Sequence, residues 1–288
     1  MTVQLPPLLD AHHHLWQHGG VPRRGILGES YLDGEFLWPD LERAAEGLPL
    51  EATCLVQARE DEQEVPYAEA VAAHHPRLRA MIAWAPLEQP HVDTVLARLG
   101  EHPIVRGVRR STQHEADPAF VARPAFVAGA RRLADLGLLL EVCVKHEQLA
   151  AVADLAQACP DTSIVVQHLG KPDVSGPPPA HWLETMRALG RYPSVSCKVS
   201  PVVHTAGDPV FTLERQAPFV RHAVDCFGWD RVLFGSNWPV ANAVVSYRGW
   251  VEMLAHILQD VAQPGQLEAF FAGTARRLYR VERIADSQ

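Results

Sequence analysis

Three consecutive histidines, in the segment Asp10–Trp16 near the start of the chain, are the residues best suited to chemistry. If this segment is a strand, alternate side chains point to the same face, so His12 and His14 project together while His13 points the other way. Two imidazoles that converge on one point suit a metal ion or a polarised carbonyl group. We therefore predict that His12 and His14 are functional, as metal ligands or as groups that polarise a carbonyl directly, and that His13 is structural.

Seven further apolar runs end in residues that could also do chemistry. Burying polar groups without partners is costly, so a chain that collects them at strand ends is expected to have a wetted or functional rim there. The residues at or just after these runs are Gln57, Trp84, Arg109, Lys145, His168, Lys198 and Asn237.

Three of these residues are predicted to be catalytic. Gly and Pro just after His168 predict a tight turn that exposes the imidazole, as a third metal ligand or as a general acid or base. The guanidinium of Arg109 can bind a carboxylate or a developing oxyanion. The amide of Asn237 cannot take a proton from water, but it can orient a nucleophile or hold a hydroxyl group.

The remaining polar and aromatic residues are predicted to contact the substrate. Each has a plain alternative, such as a rim salt bridge for a lysine or ordinary packing for a tryptophan. Cationic groups at one rim of an otherwise acidic protein favour an acidic or polyhydroxylated small substrate. The predicted contacts are Gln57, Trp84, Lys145, Lys198, His204 and Trp238.

The elements that must position these residues alternate between strand and helix. The strand candidates are mostly continuous apolar runs, which is typical of strands covered on both faces in a parallel sheet. Eight repeats predict a single-domain (β/α)8 TIM barrel over residues 1–288. An open doubly wound sheet is the alternative, but no Gly-x-Gly-x-x-Gly follows the first run. The strand candidates are Leu8–His13, Ala52–Gln57, Ala80–Ala85, Ile104–Arg109, Leu138–Val144, Ser163–His168, Ser194–Val199 and Val232–Ser236.

The composition excludes several classes of function. The formal net charge of −8 does not suit nucleic acid or an anionic membrane surface. No stretch approaches the roughly 20 apolar residues of a membrane span, and the N-terminus lacks the pattern of a signal peptide. The five cysteines form no Cys-x-x-Cys pair, which favours reduced thiols and a cytoplasmic location.

The motifs together resemble amidohydrolase family 2, a group of TIM-barrel hydrolases. The resemblance implies hydrolysis of small lactones, with a divalent metal, zinc first, although metal-independent members are implied too. It maps the family's metal-binding histidines to His12, His14 and His168, and its arginine to Arg109. The family normally has Asp, as base and sometimes metal ligand, where this chain has Asn237. The motifs lie at Asp10–Trp16, 56–57, 107–109, 167–172, 197–200, 234–240 and 273–279.

We expect a hydrolase that opens a small lactone, with a small molecule as its partner. Arg109, His12 and His14 would polarise the carbonyl, directly or through an ion, while His168 or a zinc ion activates water and Asn237 positions it. Two alternatives stay open: a metal-dependent decarboxylase or hydratase, and a ligand-binding barrel made non-hydrolytic by Asn237. The sequence also leaves homo-oligomer formation open.

Overall fold

The computed structural model describes residues 4–17, 32–203 and 211–283. Eight parallel strands follow one another around a sheet in the order β1 to β8. This is the TIM barrel that the strand–helix alternation predicts. The strands are β1 Leu8–His13, β2 Leu50–Val56, β3 Leu78–Trp84, β4 Val105–Ser111, β5 Leu139–Cys143, β6 Ile164–Val166, β7 Val195–Val199 and β8 Val232–Phe234.

The barrel closes where the first strand meets the segment after the last one. His13 forms a parallel bridge with Trp238, and the amide of His14 donates to the Trp238 carbonyl at 2.8 Å. The backbone amide of Asn237 donates to the carbonyl of His12 at 2.7 Å. The closure therefore fixes residue 237 beside the histidine segment, at the carboxyl end of the strands.

Helices connect the strands and cover the outside of the barrel. The N-terminus of α7 is capped by the hydroxyl of Thr212, and that of α8 by the hydroxyl of Ser246. The helices are α1 Trp38–Ala44, α2 Glu64–His74, α3 Val92–Gly100, α4 Pro124–Asp135, α5 Leu149–Ala158, α6 Ala180–Gly190, α7 Leu213–Phe227, α8 Tyr247–Gln259, α9 Gln266–Glu268 and α10 Thr274–Tyr279, with a π-helical turn at Ala269–Gly273.

Alternation along the strands divides the core into two layers. The larger layer lies between the strands and the helices, and the smaller one fills the barrel interior with residues such as Leu9, Cys54 and Val165. Ala275 and Tyr279 of α10 pack against this inner layer. Both faces of the strands are thus buried, as the continuous apolar runs predict.

Strands β6 and β8 each end two residues before the carboxyl end that the sequence predicts. The runs 163–168 and 232–236 pair only over Ile164–Val166 and Val232–Phe234. The backbones of His168 and Asn237 have φ angles of 52° and 54°, in the left-handed region, so neither residue can continue a strand. Both side chains are therefore presented by turns at the strand ends.

The prediction of reduced cysteines is confirmed, because all five cysteines are free thiols. No helix in the described ranges is long and apolar enough to cross a membrane. His204 lies outside the described residues.

Candidate active site

His12 and His14 meet at the carboxyl end of the barrel, on the same side of strand β1. Their Nε2 atoms lie 3.1 Å apart, and both rings are buried. The Nδ1 atom of His14 lies 2.7 Å from the carbonyl oxygen of Val56, which can only accept a hydrogen bond. Nδ1 of His14 therefore carries the proton, and its Nε2 lone pair points towards His12.

His168 joins this pair from the turn after β6. Its ring centroid lies 4.5 Å from that of His12, and its Nδ1 lies 2.7 Å from the hydroxyl oxygen of Ser200. Ser200 follows strand β7 and is fully buried. The hydroxyl holds the ring so that Nε2 is the atom left for a reactant, a positioning role that the sequence did not reveal.

The three imidazoles are neutral at neutral pH. Burial, first, lowers the pKa of His12, His14 and His168 well below the usual value, and nearby positive charges such as Arg109 add to the effect. Neutral imidazole is the form that binds metals and accepts protons. Burial also lowers the pKa of His13 to about 3, and its ring packs near that of Trp38, away from the pair.

The spacing of the His12–His14 pair fits a metal ion. Two nitrogens bound to one zinc ion at about 2.0–2.1 Å would lie about 3.3 Å apart, close to the spacing seen here. Within the described part of the chain, however, no group of three or more His, Cys, Asp or Glu side chains is placed to hold a metal. His168 lies next to the pair and Ser200 engages only its Nδ1, so its role as a third ligand stays a prediction.

Arg109, in strand β4, lies at the same end of the barrel. Its Nη2 donates to the carbonyl of Gln57, which directly follows the carbonyl that holds His14. Its Nη1 donates to Oε1 of Gln167 at 3.3 Å, and its Nε has no partner among the described residues. Two successive carbonyl groups at the end of β2 thus hold the imidazole of His14 and the guanidinium of Arg109 side by side. We call the group formed by His12, His14, His168 and Arg109 the cup.

A buried ion pair supports the cup from inside the barrel. Lys198 Nζ lies 2.6 Å from Oε2 of Glu141 and 2.7 Å from the carbonyl of Ala11, and both charged side chains are fully buried. Nε2 of Gln167 donates to Oε2 of Glu141 at 2.5 Å, so the network reaches Arg109. The ammonium of Lys198 belongs to this framework, and the structure does not support the predicted substrate contact.

Asn237 lies beside the histidine segment, in the turn after β8. Its Nδ2 donates to the carbonyl of Pro201 at 3.3 Å, and the residue is buried. Asp10 anchors the same turn, because its carboxylate accepts the amide of Ser236 at 2.8 Å and the Ser236 hydroxyl at 2.6 Å. A Cβ atom at Gly235 would lie 2.8 Å from that of His12, so only glycine permits this close approach.

The other predicted contacts differ in accessibility. Lys145 is exposed, Trp84 is half-buried, and Trp238 is buried against the ring of Phe36 at 5.6 Å between centroids. The side-chain oxygen of Gln57 is buried and has no hydrogen-bond partner within the described ranges. That oxygen is free to accept from a bound water or hydroxyl group; the roles of these four residues stay predictions.

Glu64, at the start of α2, is a second carboxylate that sequence reasoning missed. Its oxygens accept the amides of Ala58 at 2.9 Å and Arg59 at 2.7 Å, which fixes the loop after β2. Burial, opposed by these bonds and by the charge of Arg109, raises the pKa of Glu64 to about 7. The sequence does not indicate this role of Glu64, because its partners are backbone amides, which leave no residue pattern to recognise.

Known proteins resemble this barrel over nearly all of its length. The family model described as amidohydrolase matches residues 9–281. The chain belongs to the amidohydrolase family. This confirms the resemblance seen in the motifs, and the chain is accordingly an enzyme of the hydrolase type.

The individual relatives are similar to this chain at 27–31% sequence identity. An L-fucono-1,5-lactonase from Burkholderia ambifaria is 28% identical over 286 residues, which are 97% of this chain and 98% of the relative. A crystal structure of an amidohydrolase from Burkholderia multivorans with bound zinc is 27% identical and has a TM-score of 0.87, covering 96% of this chain and 100% of that one. A 2-pyrone-4,6-dicarboxylate hydrolase from Comamonas testosteroni is 31% identical over 147 residues, 48% of this chain and 47% of its own.

Proposed function

We propose that this amidohydrolase opens the ring of a small lactone by attack of water on the carbonyl carbon. The observation that carries the proposal is the cup, where neutral imidazoles and a guanidinium held by β2 carbonyls lie at the carboxyl end of the barrel. Lactone hydrolysis needs a base for water and a cation for the oxyanion, and the cup supplies both. The names of the two curated relatives, a sugar lactonase and a pyrone dicarboxylate hydrolase, support the same reaction.

His168, Arg109 and Asn237 have separate roles in this reaction. With Nδ1 of His168 protonated and donating to the hydroxyl oxygen of Ser200, Nε2 accepts a proton from water while the water oxygen bonds to the carbonyl carbon. Arg109 stabilises the oxyanion that forms. When the ring C–O bond breaks, the proton on His168 passes to the leaving alkoxide. Asn237 holds the water by its amide and does not change protonation state.

A divalent metal ion fits this site as an addition to these groups. His12 and His14 would hold it through their Nε2 atoms. When bound, it would polarise the carbonyl and lower the pKa of water. The zinc in the related Burkholderia multivorans structure makes zinc the first ion to test.

The test is a pH-indicator assay of purified protein on a panel of lactones, beginning with L-fucono-1,5-lactone, paired with elemental analysis. Acid release is expected from the wild type and is expected to fall at least a hundredfold in His168→Gln, about the contribution of a general base. The exposed His256, replaced by Asn, serves as the matched control and should keep full activity. Carbon dioxide release, or unchanged activity in His168→Gln, would overturn the proposal.

A further inference from the structure

The guanidinium of Arg109 is held at two points, one on each Nη atom. Nη2 donates to the carbonyl of Gln57, and Nη1 donates to Oε1 of Gln167 at 3.3 Å. Because a guanidinium is planar, one bond at each Nη fixes both its position and its plane. Gln57 contributes a backbone carbonyl, which any residue would supply. Among the described residues, Gln167 is therefore the one side chain whose identity decides how Arg109 is held.

The amide of Gln167 can take only one orientation. Its Nε2 donates to Oε2 of Glu141, and a carboxylate has no hydrogen to give back. The guanidinium of Arg109 can only donate, so it requires the oxygen of the amide. Turning the amide over would bring two acceptors together at Glu141 and two donors together at Arg109. The two neighbours thus make Gln167 a bridge, with its donor end on the barrel interior and its acceptor end on the cup.

Glu141 gives this bridge a fixed base. Its carboxylate also accepts from the ammonium of Lys198 at 2.6 Å and from the hydroxyl of Tyr279 at 2.7 Å. All four of these side chains, including Gln167, are fully buried. A carboxylate that is held by three donors in the barrel interior cannot follow a displaced amide. The position of Glu141 is therefore passed through Gln167 to Arg109.

Arg109 and its neighbour in sequence, Arg110, are held by different kinds of partner. Arg110 pairs with Glu60, Glu88 and Glu115, at 3.7, 3.0 and 2.7 Å. In the part of the chain that the structure describes, no carboxylate pairs with Arg109, whose two acceptors are amide oxygens. An amide oxygen positions a guanidinium without neutralising it, so the charge of Arg109 remains available to an oxyanion.

We propose that Gln167 is a positioning residue, which holds the guanidinium of Arg109 where the oxyanion forms and acts on the reaction only through Arg109. This inference rests on the proposed lactone hydrolysis. The oxyanion develops after the substrate has bound, so a misplaced guanidinium should lower kcat and leave KM almost unchanged. Stabilising groups must lie within about 0.5 Å of the productive position, so the loss of one of two bonds should lower kcat at least tenfold.

The test is a double-mutant cycle between residues 167 and 109, on any lactone that the wild type hydrolyses. Gln167→Met, which has a similar length and no amide, should lower kcat at least tenfold and change KM less than twofold. In the Arg109→Gln background, the same substitution should change kcat less than twofold. Gln148→Met is the matched control, because Gln148 also bridges two loops at this end of the barrel, between the amide of Lys145 and the carbonyl of Thr112. It should change kcat less than twofold.

A second variant, Gln167→Asn, covers the case in which Gln167→Met does not fold. It keeps the amide but is one methylene shorter, so it cannot reach Glu141 and Arg109 together, and its kcat should fall by a similar factor. Circular dichroism establishes which variants are folded. An unchanged kcat in a folded variant, or equal losses of kcat with and without Arg109, would overturn the inference.

If no lactone is hydrolysed, the proposed reaction fails, and the positioning role is judged by nitrogen-15 NMR instead. A guanidinium held at both Nη atoms rotates slowly, so the wild type should give separate Nη1 and Nη2 signals for Arg109, assigned by their absence in Arg109→Gln. These signals should merge in Gln167→Met and stay separate in Gln148→Met. Merged signals in the wild type, or separate ones in Gln167→Met, would sink the positioning role independently of catalysis.

Discussion

The hydroxyl of Tyr279, on the last helix, donates a hydrogen bond of 2.7 Å to Oε1 of Glu141 in the middle of strand β5. Both side chains are fully buried, and the same carboxylate accepts from Lys198 and Gln167. Since Gln167 also accepts from Arg109, the end of the chain is connected to the cup through three hydrogen bonds. Helix α10 is thus part of the support for the site, as well as a cover for the barrel interior.

The first prediction concerns this hydrogen bond. Tyr279→Phe should lower the free energy of unfolding by about 1–3 kcal/mol, because it leaves a buried carboxylate with one donor fewer. Urea denaturation measures the loss. The half-buried Tyr192, between α6 and β7, offers a matched control, and Tyr192→Phe should cost less than about 0.5 kcal/mol. Equal losses in the two variants would show that the Tyr279 bond contributes nothing specific.

The second prediction concerns the ion pair of Lys198 and Glu141. Lys198→Met should destabilise the protein by about 3–5 kcal/mol, because it leaves the Glu141 charge buried without a cation. The double variant Lys198→Met/Glu141→Gln removes the stranded charge and should recover about half of that loss. Urea denaturation of the wild type and both variants gives the comparison. A double variant as unstable as the single one would argue against an ionised Glu141.

This pair also shows where sequence reasoning reached its limit. The apolar runs predict the strands, since burial on both faces leaves a strong signal, and strand ends predict where chemistry can occur. Lys198 follows the same pattern as Lys145, yet one ammonium enters the barrel and the other stays in solvent. The difference is set by Glu141, which lies 57 residues away in sequence. Partners so distant in the chain are not readable from either run.

The turns after β6 and β8 could be predicted only in part. Gly and Pro after His168 indicate a turn, but the left-handed backbone at His168 and Asn237 depends on contacts with other strands. Ser200, which orients His168, has no motif of its own. The histidine pair, in contrast, follows directly from the period of two along a strand.

The third prediction concerns pH. Burial raises the pKa of Glu64 to about 7 in the folded protein, so the native state binds this proton more tightly than the unfolded chain does. The stabilisation is therefore full below about pH 4.5 and is lost as the pH rises through 7. Relative to Glu64→Gln, the wild type should lose about 2.5 kcal/mol of unfolding free energy between pH 5 and 8.

Urea denaturation of both proteins at several pH values measures this difference. Burial also raises the pKa of Asp10, to about 6, but Asp10 is present in both proteins and cancels in the comparison. Parallel pH profiles for the wild type and Glu64→Gln would mean that Glu64 titrates as an ordinary surface carboxyl group.

The last prediction concerns the residue that departs from the family pattern. The backbone amide of Asn237 donates a hydrogen bond to the carbonyl of His12, so residue 237 is fixed next to the His12–His14 pair. Asn237→Asp adds a charged oxygen ligand beside two imidazoles, a donor set that zinc favours over imidazoles alone. We expect the variant to bind zinc at least tenfold more tightly than the wild type, measured by competition with a chelator and by elemental analysis after dialysis.

The exposed Asn242, replaced by Asp, adds the same charge without the ligand and should leave zinc binding unchanged. Equal zinc affinity in Asn237→Asp and the wild type would place the side chain of residue 237 away from the His12–His14 pair.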